Sequence, residues 1–132
     1  MLVVRHYVAR SEIHNLGLFL GEPVSQGKVI WRYEPEFDVE FSKDMVEALP
    51  GRYKDVILDC AEYFVDRGVY RLGNDGDIFM NHSDWPNLLD LGDVMIAARA
   101  IAAGEELTCD YRAVHVVGYR PGPVAPRQAT AV

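Results

Sequence analysis

Two polar segments of this 132-residue chain carry residue types that chemistry uses and packing does not require. The first is Asn81-His82-Ser83-Asp84-Trp85-Pro86-Asn87, entered directly from Ile78-Phe79-Met80. The second is Gly104-Glu105-Glu106-Leu107-Thr108-Cys109-Asp110-Tyr111, a glycine turn feeding a strand that ends in Asp-Tyr. Asn brings a donor and an acceptor together, and tyrosine brings a phenol. The pair therefore predicts a buried polar junction with a hydroxyl aimed at it. Two plainer readings stand beside this one. The first segment suits a buried turn capped by Asn87, and a tyrosine at a strand end suits half-buried packing. The motif pairs no carboxylate or nucleophile with His82, so it assigns that residue no acid–base role. His6, His14 and His115 read as surface or turn histidines, and no metal site is expected.

Composition sets the frame around these segments. The length and a hydrophobic content of 49% fit one domain with its own core. A net charge of −7 and a pI near 5.0 speak against a nucleic-acid partner and suit a lysine- or arginine-rich one. An acidic surface also simply keeps a protein soluble. Glu34, Glu36, Asp38 and Glu40 read as a solvated edge, with reception of a basic peptide as the other reading. No apolar run approaches the roughly 20 residues that cross a bilayer, and the opening residues do not resemble a secretion signal. Cys60 and Cys109 are too few for a disulfide framework. A cytoplasmic protein is expected, or a nuclear one if the host is eukaryotic or viral.

Short spacings between turns predict a β-rich chain of small sheets. Strands are expected over Leu2–Ala9, Leu18–Leu20, Lys28–Tyr33, Val69–Leu72, Val94–Ile101 and Glu106–Tyr111. Ser42 reads as the N-cap of a short helix, Lys43–Leu49, stopped by Pro50-Gly51. Apolar residues at Val56, Ile57, Ala61, Phe64 and Val65 predict an amphipathic helix over Tyr53–Val65, with Gly68 as its exit. Gly73–Asp77 is a loop without the glutamate a calcium loop needs. Val114–Tyr119 is expected to be a last ordered piece, and residues 121–132 a mobile tail.

Three segments in order, Ser11 to Phe19, Asn81 to Asn87 and Gly104 to Tyr111, resemble the SET-domain family of protein lysine methyltransferases. The family pattern is a glycine-rich turn before Leu-Phe, then Asn-His-Ser-x-x-Pro-Asn, then Gly-Glu-Glu-Leu-Thr-x-Asp-Tyr. The resemblance covers residues 2–111 and looks most like minimal viral and bacterial members. It implies a mainly β fold with short helices, a SET domain over residues 1–120 built of several small sheets around a C-terminal pseudoknot. It implies S-adenosylmethionine as cofactor and methyl transfer to a lysine ε-amine through a narrow channel. A fold-keeping module that binds a peptide or the cofactor without turnover is the alternative.

The resemblance also assigns roles. Tyr111 becomes the catalytic phenol that orients the amine. Asn81 and His82 hold the amino-acid end of the cofactor, and His14, Asn15 and Leu16 line its methionine and ribose side. Tyr33 becomes a wall of the lysine channel beside Tyr111. Asn15 stands where relatives carry glycine, and asparagine tolerates the left-handed backbone such a turn needs. Relatives place an aromatic just after Pro-Asn, where this chain has Leu88, Leu89 and Asp90. The adenine side would be closed by His115, Val117 or Tyr119, or by a second subunit, which makes a homodimer a fair expectation. The substrate would be a basic, lysine-containing protein or peptide, with neither nucleic acid nor membrane involved.

Overall fold

Residues 104–109 lie between two strands that are distant from them in sequence, and this threading organises the molecule. The computed structural model describes residues 1–113. The pieces expected at 114–119 and 121–132, with His115, Val117 and Tyr119, lie outside the described residues.

Four small sheets are built from the described residues. Strand β1 (His6–Arg10) pairs antiparallel with β2 (Leu16–Leu20). Strands β3 (Val29–Arg32), β8 (Leu88–Asp90) and β9 (Val94–Ala97) form a sheet in the order β3-β9-β8. Strands β4 (Val39–Ser42), β5 (Glu62–Phe64) and β6 (Val69–Leu72) form another in the order β4-β6-β5. Strand β7 (Asn81–His82) runs parallel to β10 (Thr108–Cys109). Helices are short: α1 (Lys43–Glu47), α2 (Gly51–Cys60) and one 3-10 turn over Gly76–Phe79. This is the mainly β architecture expected.

The thread is fastened on both flanks. Toward β2, the Leu107 amide donates to the Leu18 carbonyl at 2.8 Å and the Leu20 amide to the Glu105 carbonyl at 3.0 Å. Toward β7, Asn81 pairs with Thr108 and His82 with Cys109, and the Ser83 amide donates to the Cys109 carbonyl at 3.0 Å. Gly104 turns the chain into this slot at φ 86°, a conformation that favours glycine. Leu107 is fully buried among Leu18, Leu20, Ile30, Leu88 and Ile101. Buried Asn87 closes the arrangement. Its Nδ2 donates to the Glu106 carbonyl at 2.8 Å, and its Oδ1 accepts from the Thr108 amide at 2.9 Å.

A second, smaller core gathers Val46, Ile57, Ala61 and Tyr70 beneath the two helices. Ser42 caps α1 as expected, its hydroxyl accepting from the Met45 amide at 3.1 Å.

Several boundaries differ from the sequence reading. The helix expected over Tyr53–Val65 begins at Gly51 and ends at Cys60, where Ala61 turns extended at ψ 146°. The aromatic run Glu62-Tyr63-Phe64 is a strand paired with β6, and Gly68, at φ 59°, turns that hairpin instead of ending a helix. Val56 and Val65, read as its apolar face, are exposed. Pro50-Gly51 stops α1 and also opens α2. The first strand starts at His6, with Leu2 making a lone bridge to Trp31. The strand expected over 94–101 ends at Ala97, and Ile101 rejoins by a bridge to Val24. Leu88–Asp90, standing where relatives place an aromatic, forms the edge strand against β9.

Replacing Asn87 with alanine would leave a buried carbonyl and a buried amide unpaired, at roughly 1–3 kcal/mol each. Asn87→Ala should lower the unfolding free energy by about 3 kcal/mol, read as a drop in urea midpoint at unchanged slope. A midpoint equal to wild type would show that the clamp is not structural.

Candidate active site

Tyr111 follows the threaded strand directly, so the thread decides where its ring goes. The hydroxyl donates to the Met80 carbonyl, and the Tyr111 amide donates to Nδ1 of His82 at 3.1 Å. Because Nδ1 accepts, the proton of neutral His82 sits on Nε2, which contacts Oδ1 of Asp84 at 2.8 Å. The sequence paired no carboxylate with His82. The structure corrects this, because the turn of the motif folds Asp84 back onto the ring. Arg112 lies between Asp84 and Asp110, at 3.0 and 2.9 Å. That contact holds the Asp110 carboxyl below its ordinary range. The first role visible for His82 is to hold the backbone and ring of Tyr111, at 5.5 Å between ring centres.

Asn81 faces the other way. Its Nδ2 lies 3.0–3.1 Å from the Leu16 carbonyl, the His14 carbonyl and the Ser11 hydroxyl. The residue thereby ties the β1–β2 turn to the thread. Asn15 adopts the left-handed backbone expected of it, at φ 41°. Leu16 and Ile13 are exposed on this turn. A Cβ at Gly17 would lie 2.5 Å from Glu106 Oε1 and 3.1 Å from the Ser11 Cβ, so a side chain there would displace the Glu106 carboxylate. The other carboxylate oxygen of Glu106 is buried without a hydrogen-bond partner among the described residues. His14, Leu16 and Asn81 are thus brought together with Asn15 between them, while the His82 ring is turned toward Asp84 and Tyr111.

On the opposite side a cavity of about 100 Å³ reaches Tyr111. Trp31, Met80 and Met95 supply apolar wall, while Glu62, Arg71 and Asp77 supply charge. Tyr33 is not in this lining. It stands behind it, with the Arg71 guanidinium 3.7 Å above its ring. Arg71 is buried and held by Glu40 at 3.1 Å and Asp93 at 2.9 Å. The acidic run at 34–40 is therefore only partly a solvated edge. Glu40 pairs with Arg71 and Arg67, and Asp38 is buried, accepting from the Glu34 amide at 2.9 Å.

Sequence reasoning missed Trp31, Glu62, Arg71 and Asp77. Asp77 sits in the loop set aside as not calcium-binding, and Glu62 in the misread helix. Burial and the neighbouring Asp75 raise Asp77 to about 7, although it also accepts from Trp31 Nε1 at 2.8 Å. Burial, with Asp90 next in weight, pushes Glu62 up to about 8. Burial, aided by Glu62 and Asp90, also drives the Cys109 thiol far up, so it is a neutral wall. Among the described residues no group of three His, Cys, Asp or Glu is placed to hold a metal ion.

Comparison with known proteins gives one consistent answer. A family model described as SET domain matches residues 15–112. Among solved structures, apo Polycomb Repressive Complex 2 of Chaetomium thermophilum aligns with TM-score 0.68 at 20% identity, over 82% of this chain and 15% of that one. The same complex bound to S-adenosylmethionine aligns with TM-score 0.64 at 17% identity, over the same shares. A Plasmodium falciparum protein titled a histone methyltransferase aligns with TM-score 0.58 at 22% identity, over 82% of this chain and 93% of that one. The chain spans about 15% of the length of the Polycomb chains it matches.

The raised carboxyls predict a pH dependence of stability. Unfolded, Asp77 and Glu62 titrate near 3.8 and 4.5, so the folded state binds protons that the unfolded chain has released. Stability contributed this way is greatest below pH 4 and falls as pH rises to about 8. The urea midpoint should fall between pH 5 and 8. Asp77→Asn, which keeps an acceptor for Trp31, should flatten part of that fall. An equally steep variant would contradict the assignment.

Proposed function

The chain belongs to the SET-domain family, and from that premise we propose that it is a protein-lysine N-methyltransferase using S-adenosylmethionine. The observation that carries the reading is the cavity ending at Tyr111, whose phenol is fixed by the Met80 carbonyl while His82 fixes its backbone. A slot with apolar walls and a polar end suits the alkyl stem and amine of a lysine. The fold's likeness to a complex that binds S-adenosylmethionine supports the choice of cofactor.

The β1–β2 turn fits that cofactor on observations of its own. Leu16 and left-handed Asn15 are exposed on this turn, while the space beside buried Gly17 is filled by Glu106 and Ser11. The buried Glu106 oxygen without a partner suits a cationic group nearby. His14, Asn15 and Leu16 would hold the methionine and ribose side. Asn81 acts through the turn it fastens, and the backbone of His82 would add a contact.

S-adenosylmethionine supplies a methyl group on a sulfonium, which leaves as a neutral thioether when a lysine nitrogen takes the methyl. The chain's own residues position and desolvate. Tyr111, its hydroxyl hydrogen turned to Met80, presents oxygen lone pairs that orient the amine N–H bonds. Trp31, Met80 and Met95 exclude water, which lowers the ammonium pKa of the entering lysine from about 10.4. Alignment of this kind supplies roughly 7–11 kcal/mol in favourable cases. The substrate we infer is a basic, lysine-containing protein, matched to the net charge of −7. A second copy of the chain would cover the adenine side.

Incubation with labelled S-adenosylmethionine and lysine-rich proteins tests this. Wild type should transfer label, and Tyr111→Phe should lose activity by about 10²–10³-fold. Equal labelling by the two proteins would remove Tyr111 from the mechanism. Cofactor binding without transfer by wild type would favour the non-catalytic module.

A further inference from the structure

The cavity that reaches Tyr111 holds a carboxyl that the mechanism above leaves unused. Glu62 lies on β5, across the strand pair from Arg71, and lines the same slot as Tyr111. Among the described residues its carboxyl makes no hydrogen bond or ion pair. Its charged neighbours are engaged elsewhere. From β6, Arg71 is held by Glu40, Asp93 and the Gly92 carbonyl. From β8, Asp90 accepts from the Gly92 amide at 2.7 Å. From the 3-10 turn, Asp77 accepts from Trp31. Cys109 on β10 is a neutral thiol, and Asp59 and Cys60 at the end of α2 are exposed at the rim.

A half-buried acid without a partner in the slot is complemented by a cation brought into the same space. A methyl acceptor must also arrive as the common ammonium and react as the rare amine. We propose that Glu62 receives the substrate's ε-ammonium in this cavity and takes one proton from it, leaving the neutral amine at the Tyr111 oxygen. The inference rests on the methyltransferase reading. In the step one N–H bond breaks and one O–H bond forms. Ammonium and carboxylate become amine and carboxylic acid, and the proton returns to solvent after the product leaves.

The electrostatics support the exchange. An ordinary carboxyl lies about 6 units below lysine, too weak a base to share its proton. Burial and Asp90 lift Glu62 to about 8, and desolvation lowers the ammonium toward it. The competing cavity acid, Asp77, has an oxygen tied to Trp31 Nε1 and a carboxyl shared with Asp75. Asp59 is exposed at the rim, which leaves Glu62 as the half-buried cavity acid with no hydrogen bond or ion pair among the described residues.

The test is the pH dependence of kcat/KM for a lysine peptide, from pH 6 to 11, with labelled S-adenosylmethionine. Ionised Glu62 with substrate ammonium is the productive pair, so wild type should give a bell rising near 8 and falling near the lysine pKa. Glu62→Gln should lose 10-fold or more at pH 8. Its profile should become a single rise toward the lysine pKa, since only amine that arrives neutral can react. Asp90→Asn keeps an acceptor for the Gly92 amide and should move the rising limb to lower pH. A Glu62→Gln enzyme with wild-type rate and bell would overturn the proposal and leave the methyltransferase standing. Absence of transfer by wild type at every pH would overturn the methyltransferase reading itself. If Glu62→Gln does not fold, the Asp90→Asn limb decides, and an unmoved limb overturns the proposal.

Discussion

A peptide segment placed inside a protein must find partners for its amides and carbonyls on whatever lies beside it. Residues 104–109 meet that constraint twice over, with β2 on one flank and β7 on the other. Nearly every functional position follows from this. The β2 contacts fix the turn at Asn15, the β7 contacts fix Asn81 and His82, and the end of the thread delivers Tyr111. Asn87 fastens the thread with its side-chain amide. The two asparagines of the Asn81–Asn87 motif thus have different tasks. One ties the thread's neighbour to the β1–β2 turn and the other ties the thread to the end of β8.

The site is divided by that thread into two chemically unlike faces. One presents an exposed leucine and a turn shaped by left-handed asparagine. The other is a slot lined by tryptophan and methionine together with acids. Tyr111 and His82 sit at the partition. A histidine that accepts from one neighbour and donates to another is held in one tautomer. Its contribution is therefore rigidity, which the placement of a reacting amine requires to within about half an ångström.

The local part of this was legible in the sequence. Ser42 announced a helix start, the Asn15 turn followed from asparagine's tolerance of positive φ, and both motif segments lie where a polar junction was expected. What escaped notice was decided by distant partners. Val56-Ile57-Leu58 carries a helical signal that continues on paper into Phe64 and Val65. The aromatic residues 63 and 64 instead join β6 because a strand edge is available there. Glu62 moved with them, from a helix face into the cavity. Trp31, Arg71 and Asp77 come from three further elements, and no spacing rule connects them. Tyr33, expected as a channel wall, stacks under Arg71, which itself lines the slot.

The charge arrangement explains how so acidic a slot can coexist with a folded core. Arg71 is buried, yet its charge is met by Glu40 and Asp93 and spread over the faces of Tyr33 and Phe64. It lowers the burden on Glu62 without pairing with it. Asp75 is held low and its neighbour Asp77 is raised to about 7, so the two carboxyls titrate apart. Near neutral pH the raised Asp77 and Glu62 then carry less charge than ordinary carboxylates would. A dry slot favours an amine over an ammonium, yet an ammonium is what solution supplies. A group that is neutral when the slot is empty and acidic enough to ionise when a cation enters reconciles those two demands. An ordinary surface carboxylate, ionised and hydrated throughout, does not.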